Sequence, residues 1–188
     1  MGHAASSFTA SAEKDELLLD FQLLDIVKVE DSRRYFSTKF DYHQHLLSFF
    51  QFDDVFLSWF GVKSHRQFKC FGAEVVSSME LFVIGYLLCS GKVISYSERL
   101  DCAMAFFQFP HTSESDEGVI HPDKIVTKDE VTLFLETAAC GLSRLASIDL
   151  VEQQYTVSIV DHIFGSDTFR AWEDVKVLLI MNQVSKIK

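Results

Sequence analysis

Proline and glycine are scarce in this 188-residue chain, at two and eight residues, and no Gly/Ser-rich stretch separates one region from another. Flexibly tethered domains are therefore not expected, and the chain should pack continuously, as one domain or as two small lobes sharing an interface. Positive charge is also in short supply: 17 Lys and Arg against 27 Asp and Glu leave a formal net charge of -10, with no block of like charge. Nucleic acid and anionic membranes are poor electrostatic partners for such a chain, whereas a basic peptide or helix is a good one. The longest apolar run, Leu81–Cys89, is about half of what a bilayer span requires, and no cleavable signal precedes the fold, so the chain is expected to be neither secreted nor transmembrane. There is no C-x-x-C pair: Cys70, Cys89, Cys102 and Cys140 are widely spaced, the last three among apolar residues, which predicts the buried, reduced thiols of a cytosolic protein. Neither G-x-x-x-x-G-K-[ST] nor G-x-G-x-x-G occurs, which removes the simplest nucleotide-binding readings.

What is abundant is apolar and aromatic side chain, 48% of the residues including 18 Phe, ample for a core. The spacing is helical. Glu13–Val27 carries Leu17, Leu18, Phe21 and Leu24; Gln44–Trp59 carries Leu47, Phe50 and Val55; Thr127–Cys140 carries Val131, Phe134, Leu135 and Ala138; Val151–Phe164 and Ala171–Val184 complete the set. Thr127-Lys128-Asp129-Glu130 reads as a capping box, with the Thr hydroxyl accepting from the N3 amide while Glu130 reaches back, so a helix should begin there. Val75-Val76 and Gly118-Val119-Ile120 are short β-prone pieces.

The stretch Met79–Phe109, MELFVIGYLLCSGKVISYSERLDCAMAFFQF, carries a resemblance. Glu80-Leu81-Phe82-Val83-x-Gly85-Tyr86-Leu87-Leu88-x-Ser90-Gly91 followed by Glu98-x-Leu100-x-x-Ala103-x-x-Phe106 resembles the loop-ending Glu, apolar outgoing helix, Ser-Gly break and next incoming helix of the EF-hand family. In layout the chain is most similar to the calcineurin B and neuronal calcium sensor group. Val126–Val131 and Ile159-Val160-Asp161-x-Ile163-Phe164 match less closely. The resemblance implies an all-α fold of two lobes, each a pair of EF-hand-like helix-loop-helix units, with short β-ribbons between the loops. Residues 1–12 would be a flexible N-terminus, 13–92 the first pair and 93–188 the second.

An EF-hand loop holds Ca²⁺ through oxygens at positions 1, 3, 5, 7, 9 and 12, with Gly at 6 and a bidentate Glu at 12. Every loop here departs from that pattern. In the first, Asp25 follows Phe21, but the return Phe36–Phe40 places an aromatic ring where the bidentate carboxylate belongs. In the second, Glu80 at position 12 leaves Lys69, Phe71 and Ala73 at 1, 3 and 5. The third has two registers. Aligned on Gly118-Val119-Ile120 it offers Ser113, Ser115 and Glu117 but puts Lys124 at position 12; aligned on Glu130 it is about nine residues too long. The fourth, Gly165–Glu173, is about three residues short, with Asp167 and Glu173 its only carboxylates, and should form a tight turn. No metal or other cofactor is expected; Ser113, Ser115, Glu117 and Glu130 are the residues that would contribute if calcium bound.

The sequence therefore points to a binding module and not an enzyme. No nucleophile motif surrounds any Cys, and His43-x-His45 on a helix would face two ways, unlike the i,i+4 pair of a zinc helix. The expected function is that of an adaptor or regulatory subunit, largely calcium-independent, receiving a basic amphipathic helix of a partner protein in an apolar groove lined by Phe56, Trp59, Phe82 and Tyr86. The competing expectation is a genuine calcium sensor with one atypical site in the third loop. Met1-Gly2-His3-Ala4-Ala5-Ser6 fits the N-myristoylation pattern, making Gly2 a lipidation site and a membrane a second partner of a cytoplasmic protein. One myristoyl chain attaches only marginally, and residues 2–27 hold one Lys, no Arg and no Cys, so a second anchoring signal would come from a protein partner.

Overall fold

The computed structural model describes residues 17–39, 46–61, 76–89, 94–107, 125–146 and 153–184. Within them the chain forms eight helical segments: α1 (17–23), α2 (Ile26–Lys39), α3 (Phe49–Phe60), α4 (Ser78–Leu88), α5 (Tyr96–Met104), α6 (Lys128–Ala146), α7 (Gln153–Phe164) and α8 (Trp172–Val184). Four short strands, β1 (Leu46–Leu47), β2 (Val76–Ser77), β3 (Ile125–Thr127) and β4 (Phe169–Ala171), make two antiparallel ribbons. Leu47 pairs with Val76 in the first, and Val126 with Arg170 in the second.

Each strand runs into the start of a helix, and at three of the four junctions a hydroxyl residue at the end of the strand or just after it caps the helix. Ser48 accepts the Gln51 amide while the Gln51 side chain accepts the Ser48 amide at 2.8 Å, a capping box that opens α3. Ser77 accepts from Glu80 N and opens α4. The Thr127–Glu130 box opens α6 as its sequence predicts, with Thr127 N donating to the Glu130 carboxylate at 2.7 Å. A further box, Ser95–Glu98, opens α5. Strand, cap and outgoing helix, with loops paired through a ribbon, is the layout of paired EF-hand units, and the expected all-α class with short β-ribbons is what the chain adopts.

Several boundaries differ from those the stripes imply. Glu13–Val27 is not one helix: Leu24 closes a tight turn on Phe21, and the Asp25 carboxylate accepts from Val27 N at 3.0 Å, starting α2. An N-terminal Asp competing for free amides outweighs an apolar stripe that happens to continue. Of Phe36–Phe40, expected as the return of the first loop, Phe36–Lys39 is helical and Phe40 lies outside the described residues. Gln44–Trp59 is likewise divided, because Leu46–Leu47 pairs as strand and Ser48 caps. In the third loop the ribbon forms at Ile125–Thr127, the register in which Glu130 takes position 12; Gly118–Ile120 and Val75 lie outside the described residues.

The core centres on α4, whose residues from Leu81 to Tyr86 are all buried. A helix apolar on every side must be surrounded, and two glycines let its neighbours close in. A Cβ at Gly85 would lie 2.8 Å from the Trp59 ring on α3, and a Cβ at Gly141 on α6 would lie 2.2 Å from Ile84. Phe134 joins Phe107 and Trp172 edge-on in the second half, and the buried apolar side chains of both halves form one cluster. Continuous packing, expected from the lack of linkers, is what the core shows.

Candidate functional site

The four residues expected to line a partner groove do converge, but in the interior. Helix α3 places Phe52, Phe56 and Trp59 on one face, at i, i+4 and i+7, with Phe60 beside them. Phe82 of α4 meets Trp59 edge-on at 5.6 Å, and Phe106 stacks on Phe82 at 5.7 Å and touches Tyr86. Phe56, Trp59, Phe82 and Tyr86 are each no more than 2% exposed. Helix α1 adds a further ring to α3: Phe21 meets Trp59 at 6.0 Å and Phe60 at 5.4 Å. These aromatic side chains belong to the buried core of the protein.

Polar groups hold the walls of this cluster together. Trp59 Nε1 donates to Ser32 Oγ at 3.0 Å, Ser32 and Ser58 share a hydrogen bond of 2.6 Å, and Lys28 Nζ donates to Trp59 O at 3.0 Å, joining α2 to α3. Tyr86 donates its hydroxyl proton to Glu30, which also pairs with Arg33 and Arg34. Burial pushes the Glu30 carboxyl up, but the Arg33 and Tyr86 hydrogen bonds and the charges of Arg33 and Arg34 together hold the group below its ordinary value. Burial and the adjacent Glu30 carboxylate push the Tyr86 phenol upward, so it stays protonated as the donor. Arg33 also lies over the Phe106 ring, and Arg99 donates to the Leu87 and Cys89 carbonyls, satisfying the end of α4 from α5.

Counted four residues on from the ribbon residues Leu47, Val76 and Val126, position 12 falls at Gln51, Glu80 and Glu130, and the chain itself engages all three. Gln51 serves a cap, as does Glu130. Glu80 faces Arg144 of α6 across 3.0 Å, and burial keeps its carboxyl above the ordinary value against the pull of that guanidinium. The fourth loop is the expected tight turn, with Gly165 at a positive φ of 55° and Asp167 N donating to Phe164 O. Its two carboxylates face cations of the chain, Asp167 toward Arg170 and Glu173 toward Lys176. Among the described residues no three His, Cys, Asp or Glu side chains gather where they could hold a metal ion. Ser113, Ser115 and Glu117 lie outside those residues, as do Gly2, His43 and His45.

Of the four cysteines, Cys70 lies outside the described residues, and two of the other three sit in the interior. Cys89 is buried, and Cys102 is half-buried with its thiol pushed up to about 11 by burial and by the Glu30 and Asp101 carboxylates. Both conditions favour the unreactive thiol. Cys140, expected inside, is exposed on α6; the apolar stripe of that helix passes through Ala138 and Gly141, leaving Cys140 on the outer side.

Sequence reasoning missed the buried cation of the second half. Lys176 on α8 donates to both Asp101 oxygens, at 2.8 and 3.1 Å, and Trp172 Nε1 donates to the same carboxylate at 2.6 Å. The partners stand more than 70 residues apart, so no local pattern could reveal them.

These features define a class: a small, mostly helical protein with loops paired through short antiparallel ribbons in an EF-hand-like layout. No protein-family model, curated protein or solved structure matches the chain. No described helix is long and apolar enough to cross a membrane.

Proposed function

We propose that this chain is a non-enzymatic EF-hand-like adaptor or regulatory subunit, similar in layout to the calcineurin B and neuronal calcium sensor group. It works largely without calcium and binds a basic amphipathic helix through the aromatic cleft between α3 and α4. The observation that carries this reading is the fate of the position-12 side chains: Gln51 and Glu130 cap helices and Glu80 faces Arg144, so interactions within the chain take the place of an ion at the loop ends. A net charge of -10 favours a basic partner. In this reading Gly2 is the acylation site that tethers the complex to membrane.

A melt in ~1 mM Ca²⁺ tests the reading, since a site with a Kd of ~1 μM would stabilise the fold by roughly 4 kcal/mol at that concentration. The expected result is a melting temperature that barely moves, with no saturable heat in calorimetry. A large upward shift would establish a calcium sensor instead. Co-expression with an N-myristoyltransferase tests the tether: the native chain should gain the mass of one myristoyl group and Gly2→Ala should not.

A further inference from the structure

Helix α3 has apolar side chains on two faces, and only one of them enters the core. Phe52, Val55, Phe56 and Trp59 are buried, whereas Phe50, Asp54 and Leu57 stand at i, i+4 and i+7 on the exposed side. Phe50 is 79% exposed, more than any other Phe among the described residues, and Leu57 is 42% exposed. A helix lying on a core normally turns polar side chains outward, and one exposed apolar residue needs no explanation. Two on a single face, two turns apart and one of them aromatic, call for one. Both are held in place. The Ser48–Gln51 box fixes the start of α3, and Gly61, at a positive φ of 74°, closes its end on Leu57 O. The Phe50 ring meets that of Phe49 at 5.8 Å, and Phe49 packs against the core. An anchor fixed before its partner arrives loses little freedom on binding.

We propose that this outer face of α3 is a docking surface, separate from the buried aromatic cluster, for a helix of a partner protein with two apolar side chains two turns apart and Lys or Arg between them. Charge selects this occupant. Asp54 lies between the two anchors and Asp53 adjoins it, while residues 46–61 hold no Lys, Arg or His. The anchors stand about 10 Å apart along the helix axis, so a cation midway along the partner's apolar face meets Asp54 as its apolar side chains cover Phe50 and Leu57. A second copy meeting this face across a twofold axis would set the same acidic side chains against each other. An anionic bilayer would be repelled by them and by the net charge of -10. The surface goes beyond the adaptor reading above, since it needs neither the cleft nor an ion-free loop.

The test uses the full chain and a labelled synthetic helix of alanine and glutamine that carries two leucines two turns apart with lysines between them. Fluorescence anisotropy should show saturable binding that weakens as salt rises. Phe50→Ala should weaken it at least ~10-fold, and Asp54→Lys should do the same, with the melting temperature of each variant close to that of the native chain. Leu23→Ala, at an equally exposed apolar site on α1, should leave binding unchanged; a loss as large as that of Phe50→Ala would make the attraction non-specific and overturn the proposal. Equal affinity for the native chain and Phe50→Ala, undiminished binding of a probe with glutamates in place of its lysines, or no binding at all would also overturn it. A large fall in the melting temperature of Phe50→Ala would make the ring part of the fold, with the same result. A dimer of the native chain in sedimentation that Phe50→Ala dissolves would assign the face to a second copy, and binding to phosphatidylcholine vesicles that Phe50→Ala abolishes would assign it to lipid; either would overturn the proposal.

Discussion

Gly85 occupies the tightest point of the core, with the Trp59 ring 2.8 Å from where a Cβ would stand. That ring also meets Phe21 and Phe82 edge-on and is 1% exposed, so it has little room to yield. Gly85→Ala should therefore destabilise by about 1–3 kcal/mol through overpacking, more than the roughly 1 kcal/mol that alanine gains in helix propensity. A denaturant midpoint that rises would show that the ring gives way. A second residue-level outcome concerns acid. Glu30 has a folded pKa below its unfolded value, so its stabilising contribution is present above the unfolded value and is lost as pH falls through the folded one. Tyr86→Phe removes one hydrogen bond holding that carboxylate ionised, and should cost about 1.5–3 kcal/mol at neutral pH. Melts followed from pH 7 to pH 3 should show a shallower acid-dependent loss in the variant than in the native chain.

At the scale of the element, caps decide what the apolar stripes leave open. The Thr127–Glu130 box was legible because it precedes a clean stripe, and α6 begins where it predicts. Ser48–Gln51 is the same device, but the stripe from Gln44 runs through it, and only pairing of Leu47 with Val76 makes the preceding residues strand. Asp25, which aligns with the start of the first loop in sequence, starts a helix in the fold. Thr127→Ala should cost about 1 kcal/mol, whereas Glu130→Gln, which preserves a box-competent side chain, should stay within about 0.5 kcal/mol of the native chain. Thermal melts in chelator measure both, and calcium should change neither difference. A rescue of Thr127→Ala by calcium would mean that Glu130 serves an ion.

For the whole molecule, contacts between distant segments set the conformation. Lys176, buried between Asp101 and Glu173, ties the last helix to α5. Burial pulls its pKa down, but the hydrogen bonds to Asp101 and Glu173 outweigh that and leave the group raised. The sign follows: the stabilisation is complete below the unfolded pKa and is lost as pH rises through the folded one. Lys176→Met leaves Asp101 without its cation and should cost about 3 kcal/mol at pH 7. The native chain should lose stability at strongly alkaline pH through this group and the variant should not; parallel alkaline limbs would indicate that the pair carries no such linkage.

Helical class, the start of α6, the tight fourth turn and the failure of the loops to match a calcium cage were all determined by local sequence. Periodicity, capping chemistry and ligand spacing act within a dozen residues and can be read directly from it. What only the tertiary structure decided is which apolar surface is left over. Phe56, Trp59, Phe82 and Tyr86 show the same spacing whether they line an open cleft or a filled one. In the fold all four are buried, and Phe21 from a separate helix packs on Trp59 and Phe60, because burial of apolar area is non-directional and accepts any partner that fits. The Asp101–Lys176 pair and the Gly85–Trp59 approach belong with it: each joins residues far apart in the chain, through contacts that exist only once the helices have packed.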